Sequence, residues 1–390
     1  VRVAVVAEFY PRRADPVLGV WAHRQALAAR DAGAEVSVFV LHRLVPPAAA
    51  FTARELRRLL AQPRVEVRDG LTVRYLRYLA PRRQPAYARW GRWAAPALAL
   101  ALRAAGPFDV VHAHNAVPAG DAVLRGRAAR AGFATGRGPG RGPPALVVSV
   151  HGGDVLWTSG QVPGGAAAVR RTLAAARLVL ANSRGIERLA REHGARETRL
   201  VTLGTDVPAA AADRAPAPLV VSVGHLVARK RHADVLRALV DLPGVRYLVI
   251  GDGPERGPLT ALVGELDLAD RVELAGQLEP AEALRRARTA WLFVMPSTAE
   301  AFGVAYIEAM AAGVPAIGAA GEPGPAEIGP GLELVPPGDP AALAATIARL
   351  LGDPAELAAL AEAARANVLE RFTWERCGRL TLAAYADAAR

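Results

Sequence analysis

Short apolar runs alternate with amphipathic segments along most of this 390-residue chain. Apolar and β-branched runs predict strands over 1–8, 35–41, 71–78, 109–113, 145–150, 177–181 and 198–202. Between them, apolar positions at helical spacing predict helices over about 20–32, 86–104, 118–131, 165–175 and 184–193. The pattern then restarts, with strands near 218–224, 246–251, 271–275, 290–295 and 314–318 separated by helices. From Pro340 onward the chain reads as helical, and Phe372-Thr373-Trp374-Glu375 offers a threonine N-cap to a last helix ending near 388. Strands alternating with helices favour βαβ units and parallel sheets. The length exceeds one ordinary core, so the restart predicts two doubly wound domains, 1–212 and 213–372, divided near the Pro/Ala-rich stretch 208–218. Ala134 to Pro144 is dense in glycine and proline with no apolar period, and is expected to be a surface loop.

Composition narrows the class. Hydrophobic residues make up 52% of the chain, yet no apolar run approaches the roughly 20 residues a spanning helix needs; Ala94 to Leu102 ends at Arg103. Residues 1–8 read as a strand and not as a signal peptide, so a cytoplasmic location is expected. Cys377 is the single cysteine, which excludes an intrachain disulfide or a cysteine metal cluster. Charge is uneven: 31 of the 48 basic residues and 14 of the 37 acidic ones precede residue 213, leaving +17 on the first part and −6 on the second. Either the first part faces something anionic, or the chain comes from an arginine-rich proteome.

The densest chemistry lies in Pro296-Ser-Thr-Ala-Glu300-Ala-Phe-Gly303-Val-Ala-Tyr-Ile-Glu308-Ala-Met-Ala-Ala-Gly313-Val-Pro315. A strand ends in a small-residue turn, and a helix is expected to start near Phe302. That places Glu300 at the carboxyl edge of a sheet, where open α/β folds bind ligands. The amides of Phe302, Gly303 and Val304 would face an anionic group there, and Glu308 would reach hydroxyls beside the helix. As bare residues, Glu300 could equally cap the helix and Glu308 could be a solvated glutamate. Lys230 stands out because it is the only lysine beside 47 arginines; a compact ammonium suits a point contact with phosphates where a planar guanidinium does not. Gly19, after the first strand and before a helix, would let backbone approach a phosphate. His151-Gly-Gly-Asp154 follows the strand 145–150, and His112 and His114 end the preceding one.

The spacing of Glu300 and Glu308, followed by Ala-Met-Ala-Ala-Gly-Val-Pro, resembles the signature of retaining glycosyltransferases of family 4, which have the GT-B fold. The resemblance continues in Asp109-Val-Val-His-Ala-His114, His151-Gly-Gly-Asp154, Val223-Gly-His-Leu-Val-Ala-Arg-Lys230, Val249-Ile-Gly-Asp-Gly-Pro254, Leu334-Val-Pro-Pro-Gly-Asp339 and Phe372-Thr-Trp-Glu375. It implies two Rossmann-like domains facing each other across a cleft, with residues 373–390 forming a helix that crosses back to the first. It also implies that Glu300 contacts a donor sugar, Glu308 a nucleotide ribose, Lys230 the phosphates and His151 the transferred sugar; Arg229 either compensates there for an arginine missing at 225 or is an ordinary surface residue. The loop at Gly19 would cover the donor phosphates. One departure concerns His225, which stands where the family commonly has an arginine.

The resulting expectation is a metal-independent hexosyltransferase without cofactor, taking a UDP- or GDP-sugar to the hydroxyl of a glycan or glycolipid acceptor. Its catalytic residues would be Glu300, His151 and Lys230; its donor residues would add Gly19, His225, Arg229, Phe302, Gly303, Val304 and Glu308. Rival readings are a sugar-nucleotide epimerase or a glycan phosphorylase on the same fold, and a non-catalytic nucleotide- or nucleic-acid-binding protein; nucleic acid is not the expected partner. His114 and Asp154 are candidate acceptor residues. Residues 74–93 hold six arginines and five aromatics without an acid. With Arg82, Arg83, Arg89 and Arg92 toward lipid phosphates and aromatics at the interface, they suggest peripheral attachment to the inner face of an anionic membrane; the alternative buries the tryptophans in the core.

Overall fold

The computed structural model describes residues 1–45, 52–128 and 142–390. The described chain forms two compact units, one of Val1–Leu203 with Trp374–Arg390, the other of Gly204–Thr373. The division falls at 203/204 rather than 212/213 for a reason visible in hydrogen bonds. The Thr205 amide donates to the Phe372 carbonyl (2.9 Å) and the Ala212 amide to that of Ala312 (3.1 Å), so 204–212 is already bound into the second unit. Of the loop expected over 134–144, residues 134–141 lie outside the described residues, as do the last residues of the helix expected over 118–131.

In the first unit, strands β1 (Arg2–Ala7), β2 (Glu35–Arg43), β3 (Val65–Arg68), β4 (Leu71–Tyr78), β5 (Val110–His114), β6 (Ala145–Val150), β7 (Leu178–Ala181) and β8 (Thr198–Leu200) make one sheet. Their order is β3-β4-β2-β1-β5-β6-β7-β8, parallel except for β3. Val3, Val5, Val38, Val40 and Val73 pack one face against Ala22, Ala26 and Ala29 of helix Val20–Asp31. Small alanines there admit the last helix, Trp374–Ala388, whose Cys377, Ala384 and Tyr385 complete the same core. The close approach shows at Gly378, where an added Cβ would lie 2.2 Å from the Ala28 carbonyl oxygen.

The second unit has β9 (Leu219–Val223), β10 (Arg246–Ile250), β11 (Val272–Gly276), β12 (Leu292–Met295), β13 (Ala316–Ala319) and β14 (Leu332–Val335), ordered β11-β10-β9-β12-β13-β14 and parallel throughout. The central strands β12 and β13 are buried throughout, and β12 reads as the continuous apolar run Leu292-Phe-Val-Met295. Strand order reverses between β1 and β5 in one unit and between β9 and β12 in the other. Crevices for ligands open at the carboxyl ends of strands at such reversals.

Candidate active site

In the second unit, the loops leaving β9 and β12 flank the reversal. The Gly224 amide donates to the Ile250 carbonyl (2.9 Å) and the Leu226 amide to that of Asp252 (3.0 Å), which fixes the start of the first loop against the end of β10. A Cβ at Gly251, where φ is +140°, would sit 1.9 Å from the Gly224 oxygen, so only glycine permits this contact. The loop ends in a single turn, Ala228–Lys230. From β12, the Thr298 amide reaches the Arg229 carbonyl (2.8 Å) and joins the two loops. Ala299 then adopts a left-handed φ of +53°, costly for alanine, and Glu300 follows it.

The result is a buried ion pair. Lys230 Nζ donates to Glu300 Oε2 at 2.6 Å, and the Ser297 hydroxyl donates to the same oxygen at 3.0 Å. Arg229 Nη1 stands 3.9 Å away. Lys230 and Glu300 retain only 9% and 8% exposure. Burial alone would favour a neutral Glu300 carboxyl, but the Lys230 charge and hydrogen bond, with Arg229 and Ser297, hold its pKa below the usual carboxylate range. The Glu300 amide donates to Glu322 Oε2 (3.1 Å), and its carbonyl accepts from the Gly324 amide (2.8 Å), so the backbone beneath the carboxylate is held from both sides.

The helix expected to start at Phe302 begins instead at Val304, because Gly303 (φ +87°) turns the chain as its N-cap. A Cβ at Gly303 would lie 2.4 Å from the Tyr306 ring, whose hydroxyl reaches back to the Met295 carbonyl. Phe302 is buried against Phe372, with ring centroids 5.7 Å apart. Glu308 is half-buried on the same short helix. His225 is exposed, its Nδ1 2.6 Å from the Asp252 carbonyl oxygen.

In the first unit, the reversal is lined by histidines. His151 follows β6 and His114 ends β5; their rings stack at 3° with centroids 5.1 Å apart, and His114 Nδ1 lies 2.9 Å from His151 Nε2. His112, two residues earlier in β5, is held by the Ser149 and Tyr385 hydroxyls, both at 2.7 Å. Burial keeps these imidazoles neutral, lowering His151 to about 4 and His112 to about 3, and His114 well below its ordinary value. Asp154 moves the other way: burial lifts its carboxyl to about 7, against the amides of Ala116 and Val117. The far ring nitrogens of His114 and His151 and Asp154 Oδ2 are buried without a hydrogen-bond partner.

Gly19 has a packing reason for being glycine. Its φ is +65°, and a Cβ there would lie 2.2 Å from the Phe9 carbonyl, so the approach it allows is of the loop onto its own strand end. The aromatics of 74–93 are also corrected. Tyr75, Tyr78, Tyr87 and Trp90 are buried, and Arg43 stacks on Trp90 at 4.4 Å; they close the core and leave Arg82, Arg83, Arg89 and Arg92 exposed. No helix among the described residues is long and apolar enough to cross a membrane, and no group of three or more His, Cys, Asp or Glu among them is placed to hold a metal ion.

Sequence reasoning overlooked Ser297, Glu322 and Glu8. Ser297 sat inside the small-residue turn and had a readable signal, a hydroxyl three residues before the glutamate. Glu322 and Glu8 had none, since each acts through a partner distant in sequence, the Glu300 amide and the Tyr87 hydroxyl respectively.

Comparison with known proteins agrees with this architecture. Residues 18–207 match the family model for Glycosyltransferase Family 4, and residues 209–367 the model for Glycosyl transferases group 1. A D-inositol 3-phosphate glycosyltransferase of Catenulispora acidiphila is 30% identical over 368 residues, covering 84% of this chain and 83% of its own. An exopolysaccharide phosphotransferase of Streptomyces coelicolor is 44% identical over 133 residues, but the match spans only 14% of that protein. The solved sucrose-phosphate synthase of Thermosynechococcus elongatus superposes with a TM-score of 0.77 at 22% identity, over 99% of this chain and 98% of that one, a likeness of fold. With both units matched and a relative aligned across most of its length, the chain belongs to the glycosyltransferases of family 4, built on the GT-B fold.

Proposed function

We propose that this chain is a retaining, metal-independent hexosyltransferase that moves a sugar from a UDP- or GDP-sugar to an acceptor hydroxyl in polysaccharide or glycolipid synthesis. The observation that carries the reading is the buried contact of Lys230 with Glu300 at the strand reversal of the second unit. Breaking the sugar–phosphate bond leaves a nucleoside diphosphate as the largest developing charge. Lys230, Arg229 and the amides of Phe302, Gly303 and Val304 supply positive potential for it, replacing a divalent cation. On donor binding Lys230 turns from Glu300 to the phosphates, which frees the carboxylate for the sugar and the cationic anomeric carbon. Glu308 takes the ribose, and His225 contributes a weaker contact than an arginine would. Gly19 shapes the loop after β1.

The first unit takes the acceptor, with His151, His114 and Asp154 at its strand edge. The neutral imidazoles there accept or donate hydrogen bonds to sugar hydroxyls without repelling a cationic transition state. Arg82, Arg89 and Arg92 favour an anionic membrane surface at the inner face, by charge alone now that the nearby aromatics are buried. Incubating the chain with a panel of UDP- and GDP-sugars in chelator, and following slow donor hydrolysis by NMR, tests the reading. One donor should be cleaved with release of the α-configured sugar from an α-linked donor. Cleavage only on adding a divalent metal, or hydrolysis of none of the panel with no nucleotide binding, would overturn it.

A further inference from the structure

Beside the histidines, the carboxyl edge of the first sheet carries a second feature that donor chemistry does not use. Three adjacent strands, β4, β2 and β1, deliver one polar group each to the same place. Tyr78 ends β4, Arg43 ends β2, and Arg12 follows β1; Arg83 joins them from the turn after β4. All three guanidinium groups act electrostatically on both Glu8 and Tyr78.

Their positions are fixed from behind. Arg12 Nη2 donates to the Glu8 carbonyl (2.8 Å), and Arg43 Nη1 to the carbonyls of Ala80 and Pro81 (3.1 and 3.2 Å). Arg83 lies over the rings of Tyr87, Phe9 and Trp157 at 4.5, 5.5 and 5.6 Å. None of the three forms an ion pair among the described residues, whereas Arg125 and Arg171 of the same unit both bind Asp121, at 2.7 and 2.6 Å. Two acids act on this group: Asp15, which acts on Arg12 without forming an ion pair with it, and Glu8, which is buried, accepts from the Tyr87 hydroxyl at its Oε2 (2.7 Å) and is pushed by burial toward its neutral form. Two donors are left over in the middle: the Tyr78 hydroxyl, on a residue 6% exposed, and Arg12 Nε, both buried without a partner.

Three preorganised guanidinium groups around an unpartnered hydroxyl suit a compact anion with several acceptor oxygens. Arginine forks match phosphate in two-point contacts, and stacking on aromatic rings helps hold Arg43 and Arg83 without itself consuming N–H donors. We infer that Arg12, Arg43, Arg83 and Tyr78 form a subsite for a phosphate group carried by the acceptor. The inference rests on the acceptor role proposed for the first unit. The phosphate can belong to a soluble polyol or sugar phosphate or to a lipid headgroup, and one experiment separates the two.

The intact chain is titrated with glycerol 3-phosphate, inorganic phosphate and uncharged glycerol, following tryptophan fluorescence, to which Trp90 and Trp157 beneath Arg43 and Arg83 contribute. Both phosphates should bind saturably and glycerol should not. Arg43→Gln and Arg83→Gln should each raise Kd about tenfold or more, the usual loss for a charge-assisted hydrogen bond. Tyr78→Phe, which keeps the packing and removes only the hydroxyl, should raise it severalfold with the melting temperature little changed. Vesicles of phosphatidylglycerol that bind the protein, and release it in the same variants, mark a lipid source; binding of glycerol 3-phosphate without such vesicle binding marks a soluble one. Absence of saturable phosphate binding, equal binding of glycerol, or unchanged Kd in all three variants would overturn the subsite. UDP and GDP titrated into the same preparation keep the failures apart: nucleotide binding without phosphate binding removes the subsite alone. Failure of every nucleotide removes the transferase reading, while the phosphate titration still decides the subsite.

Discussion

Both units reverse strand order within a parallel sheet, yet they treat ionisable side chains at the carboxyl edge there in opposite ways. In the second unit burial is outweighed, and Glu300 is held charged by Lys230, Arg229 and Ser297. In the first unit burial wins: His112, His114 and His151 stay neutral far below their ordinary range, and Asp154 keeps its proton up to about 7. Topology therefore decides where a site opens, and the partners at that place decide which protonation state it offers. On the proposed function, the edge of the second unit serves a diphosphate and that of the first unit neutral hydroxyls.

The sharpest way to break this contrast is Glu300→Gln, which keeps shape but removes the charge. We predict that turnover falls by about 10²–10³, the scale of losing one electrostatic contact to the reacting centre, with nucleotide affinity within a few-fold. Parallel kinetics and calorimetry check it, and a variant near normal turnover would contradict the assigned role. Next, Lys230→Arg keeps charge but loses the point contact. Nucleoside diphosphate binding should weaken roughly tenfold or more while free nucleoside binding is unchanged. Equal losses for both ligands would point to a folding defect instead.

The contrast also predicts a difference in acid stability. His42, His112 and His151 have folded pKa values of about 4, 3 and 4, and His23 and His114 are lowered too. The unfolded chain binds these protons near 6.5, so their contribution is complete above that pH and is lost as pH falls toward 4. Asp154 and Glu8, raised by burial, work the other way and offset part of it. In the second unit His232 (about 4) behaves like the first group, and Glu300 loses its contribution only as pH falls through its lowered pKa. Hydrogen exchange of the intact chain, corrected for intrinsic rates, should show β1 and β5 losing more protection than β9 and β12 between pH 6.5 and 5. Equal losses would break the comparison.

The smallest effect concerns the surface. Reversing Arg89 and Arg92 to Glu should weaken binding to anionic vesicles at low salt, each arginine being worth about 1 kcal/mol near such a surface. Trp93→Ala should change it less than twofold, since lipid contact through buried aromatic neighbours is not available. Co-sedimentation at two salt concentrations reads both.

How much was legible depended on whether a pattern was local. Most parallel strands and the helices 165–175 and 374–388 announced themselves by apolar runs and caps, whereas the edge strand β14, only partly buried, was missed. Helix Ala53–Leu60 has no buried residue, and β3 carries Val65 and Val67 into solvent, so neither had a core-facing period to betray it. The Asp69-Gly70 turn was the remaining hairpin signal, and it matches the left-handed φ values found there, +48° and +79°. In the candidate sites, Glu300 and Lys230 were singled out separately by motif and composition, but their contact spans 70 positions and depends on β12 lying beside β9. The same holds for His114 with His151, brought together by β5 and β6, and for the arginines gathered from β1, β2 and the turn after β4. Strand order is set by packing of whole elements, and no single segment contains it.

The bond between Thr205 and Phe372 also bears on how the molecule is made. It brings the entry and exit of the second unit side by side, so that unit is a closed parcel interrupting the first. During synthesis the second unit has every residue it needs once Thr373 has emerged. The first, though begun earlier, still lacks the helix that supplies Cys377, Ala384 and Tyr385 to its core and a hydroxyl to His112. The later-born half can finish folding first, while the alanine face of helix Val20–Asp31 waits uncovered for the last seventeen residues of the chain.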